Sequence, residues 1–389
     1  MADEKATRTL LSKQSNVVDY VRERLDTFDE RPLGAIDSLV FSWLAYTRLP
    51  YALESACFDT GIGLHELLRA EDFEQMLGST WDPQGSRDLL IAACASPRFR
   101  EVRLAHFRFK TDPDHEEQFA AMTFLLPQGG AYVAFRGTDS TVVGWKEDFN
   151  MTFQNPVPAQ AEAVAYLDEI ARETTGPLYV GGHSKGGNLA VYAAAMCGAA
   201  CRSRIERAWS HDGPGFHRSF VRSEAYRSLE GRLEKTVPKS TVVGAMLSEG
   251  PVCEISVVES DGISLLQHNP FLWAVDVEAA RFVAADGPTA SSRYLSSTLN
   301  TWMDQHSFEE RQRFVDALFG VVAVTGATRF ADIMADRKTS LPLMLQAIDA
   351  LGADEQQFVK DVLKSFARTA TVGKALDRKR PQALPSSEG

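Results

Sequence analysis

The residues best suited to chemistry in this chain are Ser184 and its immediate neighbours, Gly182-His183-Ser184-Lys185-Gly186. A serine hydroxyl is a weak nucleophile until a base takes its proton and donors stabilise the oxyanion that its attack creates. The flanking residues supply a local frame for both. Pro177 to Val180 is a short apolar run that reads as a buried strand, and Asn188 to Met196 is rich in helix formers. Strand, Gly-x-Ser-x-Gly and helix together make a nucleophile elbow. The turn holds the serine in a strained conformation at the carboxyl edge of a sheet. Side chains at Gly182 and Gly186 would collide with the adjoining strand and helix. The helix start aims free N–H groups and a positive dipole end at the nucleophile.

A base and an acid must come from further along, because in this arrangement the histidine is last. Of eight histidines, His268 fits best, ten residues beyond a strand read over Val252–Val258. His217 is the second choice, and a plain surface-loop histidine is the other reading of His268. His183 is expected to face away from the nucleophile and pack. The usual place for the acid is the loop after the penultimate strand. That strand reads as Leu233–Val237, and Pro238-Lys239-Ser240-Thr241 follows it without a carboxylate. Asp212, in Ser210-His211-Asp212-Gly213-Pro214-Gly215 at the end of the preceding strand, is therefore the first choice. Its alternative role is to cap its own turn. Glu249, Asp261 and a dyad without acid stay open.

Two N–H donors are needed for the oxyanion. Lys185, directly after the nucleophile, supplies one. Thr138, in the loop that follows the strand Ala131–Phe135, is placed for the other. The Lys185 side chain is expected in solvent, with an anion-favouring charge beside the site as the second reading. Trp145 and Asp148 are expected to organise the Thr138 loop, and Arg136 to serve as a structural ion-pair partner.

Ala134-Phe135-Arg136-Gly137-Thr138, with Trp145 and Asp148 behind it and Gly182-His183-Ser184-x-Gly186-Gly187 further on, resembles the signature of class 3 lipases. Residues 205–275, with Asp212-Gly213-Pro214-Gly215-Phe216 and the run from Leu265 to Trp273, are more similar to a bacterial branch of lipase-like hydrolases of unknown function, the Mbeg-like family. The resemblance covers about residues 35–330. It implies an α/β-hydrolase fold, an oxyanion donor at Thr138, support of that loop by an acid at Asp148, and Ser184 as nucleophile. It carries no information on substrate. Class 3 lipases have an aspartate after the penultimate strand, so the acid is where this chain departs from them.

The elements that must position these residues read as an α/β fold with a mostly parallel central sheet and helical additions at both ends. Residues 1–15 read as a flexible start and 16–100 as a helical preamble, with helices over 15–29, 36–46, 64–77 and 86–95. The hydrolase core spans 101–290. It opens with strands over 101–109, 118–126 and 131–135, continues through an amphipathic helix over 158–173, and adds a strand over 205–211 after the elbow. C-terminal helices fill 291–372, including one over 354–366, and 373–389 reads as a disordered tail.

A net charge of −11 argues against nucleic acid or an anionic membrane as partner. The polar amino terminus, with no apolar core before residue 35, lacks the form of a signal peptide. With no stretch long enough to span a bilayer, a cytoplasmic location is expected. Five cysteines, an odd number, lack metal-type spacing. Cys197 and Cys201 stand one helical turn apart, but with no second paired motif they read as buried thiols in a reducing compartment, not a zinc site. No metal or organic cofactor is expected. The function expected is hydrolysis of a small-molecule carboxylic ester through an acyl-enzyme at Ser184. A thioesterase or amidase would use the same machinery. The missing acid after the penultimate strand also admits a catalytically impaired scaffold that binds partners through its C-terminal helices.

Overall fold

The computed structural model describes residues 14–353, except Thr60, Ser140, Ser248, Ile263, 329–331 and 333–335, together with Gln356. The expected tail over 373–389, most of the flexible start and, apart from Gln356, the helix over 354–366 lie outside the described residues.

Eight strands form one sheet in sequential order: β1 (Ile62–Gly63), β2 (Arg103–Asp112), β3 (Glu117–Leu125), β4 (Ala131–Phe135), β5 (Leu178–His183), β6 (Ile205–His211), β7 (Leu233–Pro238) and β8 (Glu254–Val258). The first four pair antiparallel, and β4 through β8 pair parallel. A short antiparallel pair, β9 (Val275–Asp276) and β10 (Arg281–Phe282), stands apart. Hydrophobic alternation along the central strands serves two cores. On β4, Ala131, Val133 and Phe135 face one layer while Tyr132 and Ala134 face the other, as the period of two in a strand requires.

On the first face lie α1 (Val17–Glu23), α2 (Ala35–Leu44) and the later helix over Pro83–Ala95, packed on Met122, Phe124, Tyr132 and Trp209. So the amino-terminal helices make a full layer of the core. Between them the chain is less regular than its periodicity suggests. A helix, α3, covers Tyr51–Asp59, and β1 follows it. The single helix expected over 64–77 is broken into 3-10 turns at Leu64–Leu67 and Ala70–Asp72 and a short α4 (Phe73–Leu77), because Leu68 and Arg69 leave helical backbone geometry. The Pro83–Ala95 helix is α5.

On the opposite face lie α6 (Val142–Asn150), α7 (Pro158–Glu173) and α8 (Lys185–Met196). Ala163, Tyr166, Leu167 and Ile170 of α7 and Leu189 to Ala195 of α8 cover Val133, Leu178 and Val180. A single turn of helix, α9 (Ala199–Arg202), precedes β6. The carboxyl-terminal helices α10 (Ala290–Gln305), α11 (Phe308–Ala323) and α12 (Arg337–Ala350) follow. Phe314, Val315 and Phe319 of α11 pack with Val142, Trp145 and Phe149 of α6, which brings these late helices to the carboxyl end of the sheet. No described helix is long and apolar enough to cross a membrane. Sheet, helices on both faces and an elbow at the carboxyl end of β5 make this an α/β-hydrolase fold.

Candidate active site

The parallel half of the sheet sets the geometry. Thr138 follows β4, Ser184 follows β5, Asp212 follows β6 and His268 lies in a 3-10 turn (Ser264–His268) after β8. All four come from carboxyl ends of strands, where open α/β sheets place their sites.

Ser184 links β5 to α8 at φ 58° and ψ −133°, a conformation that costs a side-chain-bearing residue energy and must be imposed by its surroundings. Its N–H donates to the His211 carbonyl at 2.9 Å. A Cβ on Gly182 would lie 2.2 Å from the Gly186 carbonyl carbon, and one on Gly186 would lie 2.0 Å from the Phe135 carbonyl oxygen. Both glycines are required, and β4 supplies much of the obstruction.

Asp212 is fully buried and takes φ 50°, the left-handed region that aspartate tolerates better than most residues. One oxygen accepts the Nδ1–H of His268 at 2.6 Å. The other accepts from the Thr241 hydroxyl and from the Gly244 N–H at 3.2 Å. Of the other acids considered, Glu249 pairs with Lys235, and Asp261 is exposed. His217 packs its ring on Phe308 instead, outside the cavity that Ser184 and His268 share.

His268 is held from several directions. Its carbonyl lies 2.9 Å from Nε2 of His183. A carbonyl only accepts, so that nitrogen carries the proton and Nδ1 of His183 faces the Tyr46 hydroxyl at 3.2 Å as acceptor. Burial pushes the His183 pKa well below its usual value, with repulsion from His268 adding to the effect. His183 does pack, against Trp43 and Trp273, but it also anchors the neighbouring loop. Its position inside the elbow was legible; its partner 85 residues away was not. Gln267 binds Ser260, Gly262 and Ser240 through its side chain, and Asn269 reaches Asp82. The polar pair around His268 in the sequence was the available signal.

On the oxyanion side the Thr138 hydroxyl donates to Asp148 at 2.5 Å. The other Asp148 oxygen is buried without a hydrogen-bond partner among the described residues. Burial raises the Asp148 pKa to about 6, against the opposing pull of Lys185 and the Thr138 bond. Arg136 is buried beside Asp139 at 3.4 Å, the structural ion pair expected. Lys185 corrects the sequence reading. Its side chain is only 1% exposed, and its ammonium meets Glu147 at 2.9 Å and the Gln118 carbonyl at 2.7 Å. Its charge therefore faces the protein interior. As the first residue of α8 its N–H has no partner within the helix.

Thr138, Trp145, Asp148, Ser184, Lys185 and His268 line one cavity of about 610 Å³. The remaining wall is mostly apolar, with Trp43, Trp81, Phe149 and Met246 among it, and Met303 of α10 with Phe314 and Val315 of α11 roofing it. Among the described residues, the one cluster of metal-ligand type lies elsewhere, at Asp168, Cys197 and Cys201.

Solved structures similar to this chain include two lipases. A fungal lipase in complex with an inhibitor is 17% identical, covers 46% of this chain and 71% of its own, and gives a TM-score of 0.32. M37 lipase is 15% identical, covers 54% and 67% respectively, and gives 0.33. No curated protein matches the sequence. The model of the Mbeg1-like family matches residues 93–320, a span that holds Thr138, Ser184, Asp212 and His268 and more than half of the chain. The chain belongs to the Mbeg1-like family.

Proposed function

We propose that the protein is a serine hydrolase acting on carboxylic esters. The observation that carries this is the 2.6 Å bond between buried Asp212 and His268 Nδ1, at the edge of the cavity that also exposes the strained Ser184. With Nδ1–H held by the carboxylate, Nε2 of His268 has its lone pair free to take the Ser184 proton. The alkoxide attacks the ester carbonyl. The N–H groups of Thr138 and Lys185 receive the oxyanion, His268 returns the proton to the leaving alcohol, and water then releases the acyl group through the same steps. The apolar cavity favours an acyl chain over a charged substrate. Asp212 also weighs against the impaired-scaffold reading, whose support was the missing acid after β7.

A fluorophosphonate probe tests the nucleophile. Wild-type protein is expected to be labelled, and Ser184→Ala to be inert while keeping the wild-type circular dichroism spectrum. Folded wild type that stays unlabelled sinks the catalytic reading. A panel of p-nitrophenyl esters, thioesters and anilides of increasing chain length then separates esterase, thioesterase and amidase.

A further inference from the structure

At the far end of α8, about 18 Å from Ser184 by helix rise, three ligand-type side chains converge. Cys197 closes α8, Cys201 lies in α9, and Asp168 comes from α7. One donor atom from each lies within 4.8 Å of the others. The thiols are 1% and 3% exposed, whereas Asp168 is half-buried and opens the group to solvent. One Asp168 oxygen already accepts the Gly198 N–H at 2.9 Å. That bond fixes the carboxylate and leaves the second oxygen for another partner, as the supporting contacts of metal ligands do.

The thiols are not committed to strong bonds. Cys197 Sγ meets the Ala194 carbonyl at 3.4 Å and Cys201 Sγ meets the Leu167 carbonyl at 3.9 Å, and S–H is a weak donor.

We propose that Asp168, Cys197 and Cys201 form a binding site for a soft divalent cation of the zinc type, with water completing a tetrahedron. Two thiolates select against magnesium and calcium, and two sulfurs with one oxygen suit zinc. Binding replaces two thiol protons: one cation enters, two protons leave, and no electrons move. Two thiolates and a carboxylate around a divalent ion leave one negative charge, beside Arg202 and Arg204. The sequence showed only a Cys-x-x-x-Cys spacing; Asp168 joins it through the packing of α7 on α8. The ion would staple the carboxyl end of the nucleophile helix to its neighbour, independently of what Ser184 does.

The test uses the full-length chain, reduced and freed of metal by chelation. Cobalt(II) serves as the optical probe. One equivalent is expected to produce thiolate charge-transfer and tetrahedral visible bands, which zinc then abolishes by displacement, with two protons released per zinc. Cys197→Ser/Cys201→Ser is expected to remove the bands. Asp168→Asn, at a half-exposed position, is expected to weaken zinc binding by more than about tenfold while the circular dichroism spectrum is unchanged. Absence of the bands in wild type, or bands that persist in the double variant, overturns the proposal. So does an Asp168→Asn affinity equal to wild type.

Discussion

Asp212 occupies the end of β6, one strand earlier than the usual place for the acid, and its position rests on single-residue constraints. Its left-handed backbone aims the carboxylate at His268, and a Cβ on Gly244 would lie 2.3 Å from its oxygen. Asp212→Asn is expected to hold the wrong His268 tautomer and lower kcat by about four orders of magnitude, with the melting curve still cooperative. Glu249→Gln, which keeps an acceptor for Lys235, is expected to change kcat by less than about threefold. Collapse of the second variant with survival of the first would reverse the assignment. Asp148 makes a different prediction. Its carboxyl has an ordinary pKa of 3.8 unfolded and about 6 folded, so the folded state binds more protons between those values and loses stability as pH rises through them. Asp148→Asn removes that dependence. Urea titrations are expected to show the variant gaining on wild type as pH rises toward 7, with the difference levelling off only below about pH 3. A difference that does not change with pH would show that Asp148 does not titrate there.

Elements meet the site through the elbow. Lys185 opens α8 directly after Ser184 and sends its ammonium into the protein, where Glu147 of α6 also accepts the N–H groups of Gln118 and Ala159 at 3.0 and 2.9 Å. This one carboxylate joins β3, α6, α7 and the start of α8. Removing one partner of a buried ion pair leaves the other uncompensated, so Lys185→Met is expected to cost about 3–5 kcal/mol in urea unfolding. Adding Glu147→Gln, which discharges the carboxylate but keeps an acceptor, is expected to restore a large part of the loss. A single variant within about 1 kcal/mol of wild type would contradict the role assigned to this pair. The lysine's neighbour in sequence is Ser184 at the elbow, which is why solvent or substrate seemed its natural surroundings. Its partners stand 38 and 67 residues away, beyond the reach of any local pattern.

For the whole molecule, the two-sided core has a consequence for acid stability. His211 is fully buried under the first-face helices, with Nε2 at 2.9 Å from the Ser38 hydroxyl, and burial pushes its pKa down to about 3. Unfolded, it titrates near 6.5 and binds the proton that the native state refuses. Stability therefore falls as pH drops through 6.5 toward 3, at up to about 1.4 kcal/mol per pH unit for each such histidine. His183 adds the same sign. His211→Gln is expected to flatten the pH dependence of urea midpoints between 6.5 and 4; an unchanged slope would rule His211 out as a source. The amino acid sequence by itself determined the elbow and the strand–helix units around it, because each is written in residues adjacent along the chain and obeys periods of two or 3.6. It also pointed to Asp212 and His268, but left their pairing open. Tertiary structure decided that pairing, the interior course of Lys185, the anchoring of His268 by His183 and the roof supplied by α10 and α11. These contacts join residues tens to hundreds of positions apart, and only the packing of helices on both faces of the sheet brings them within hydrogen-bond reach.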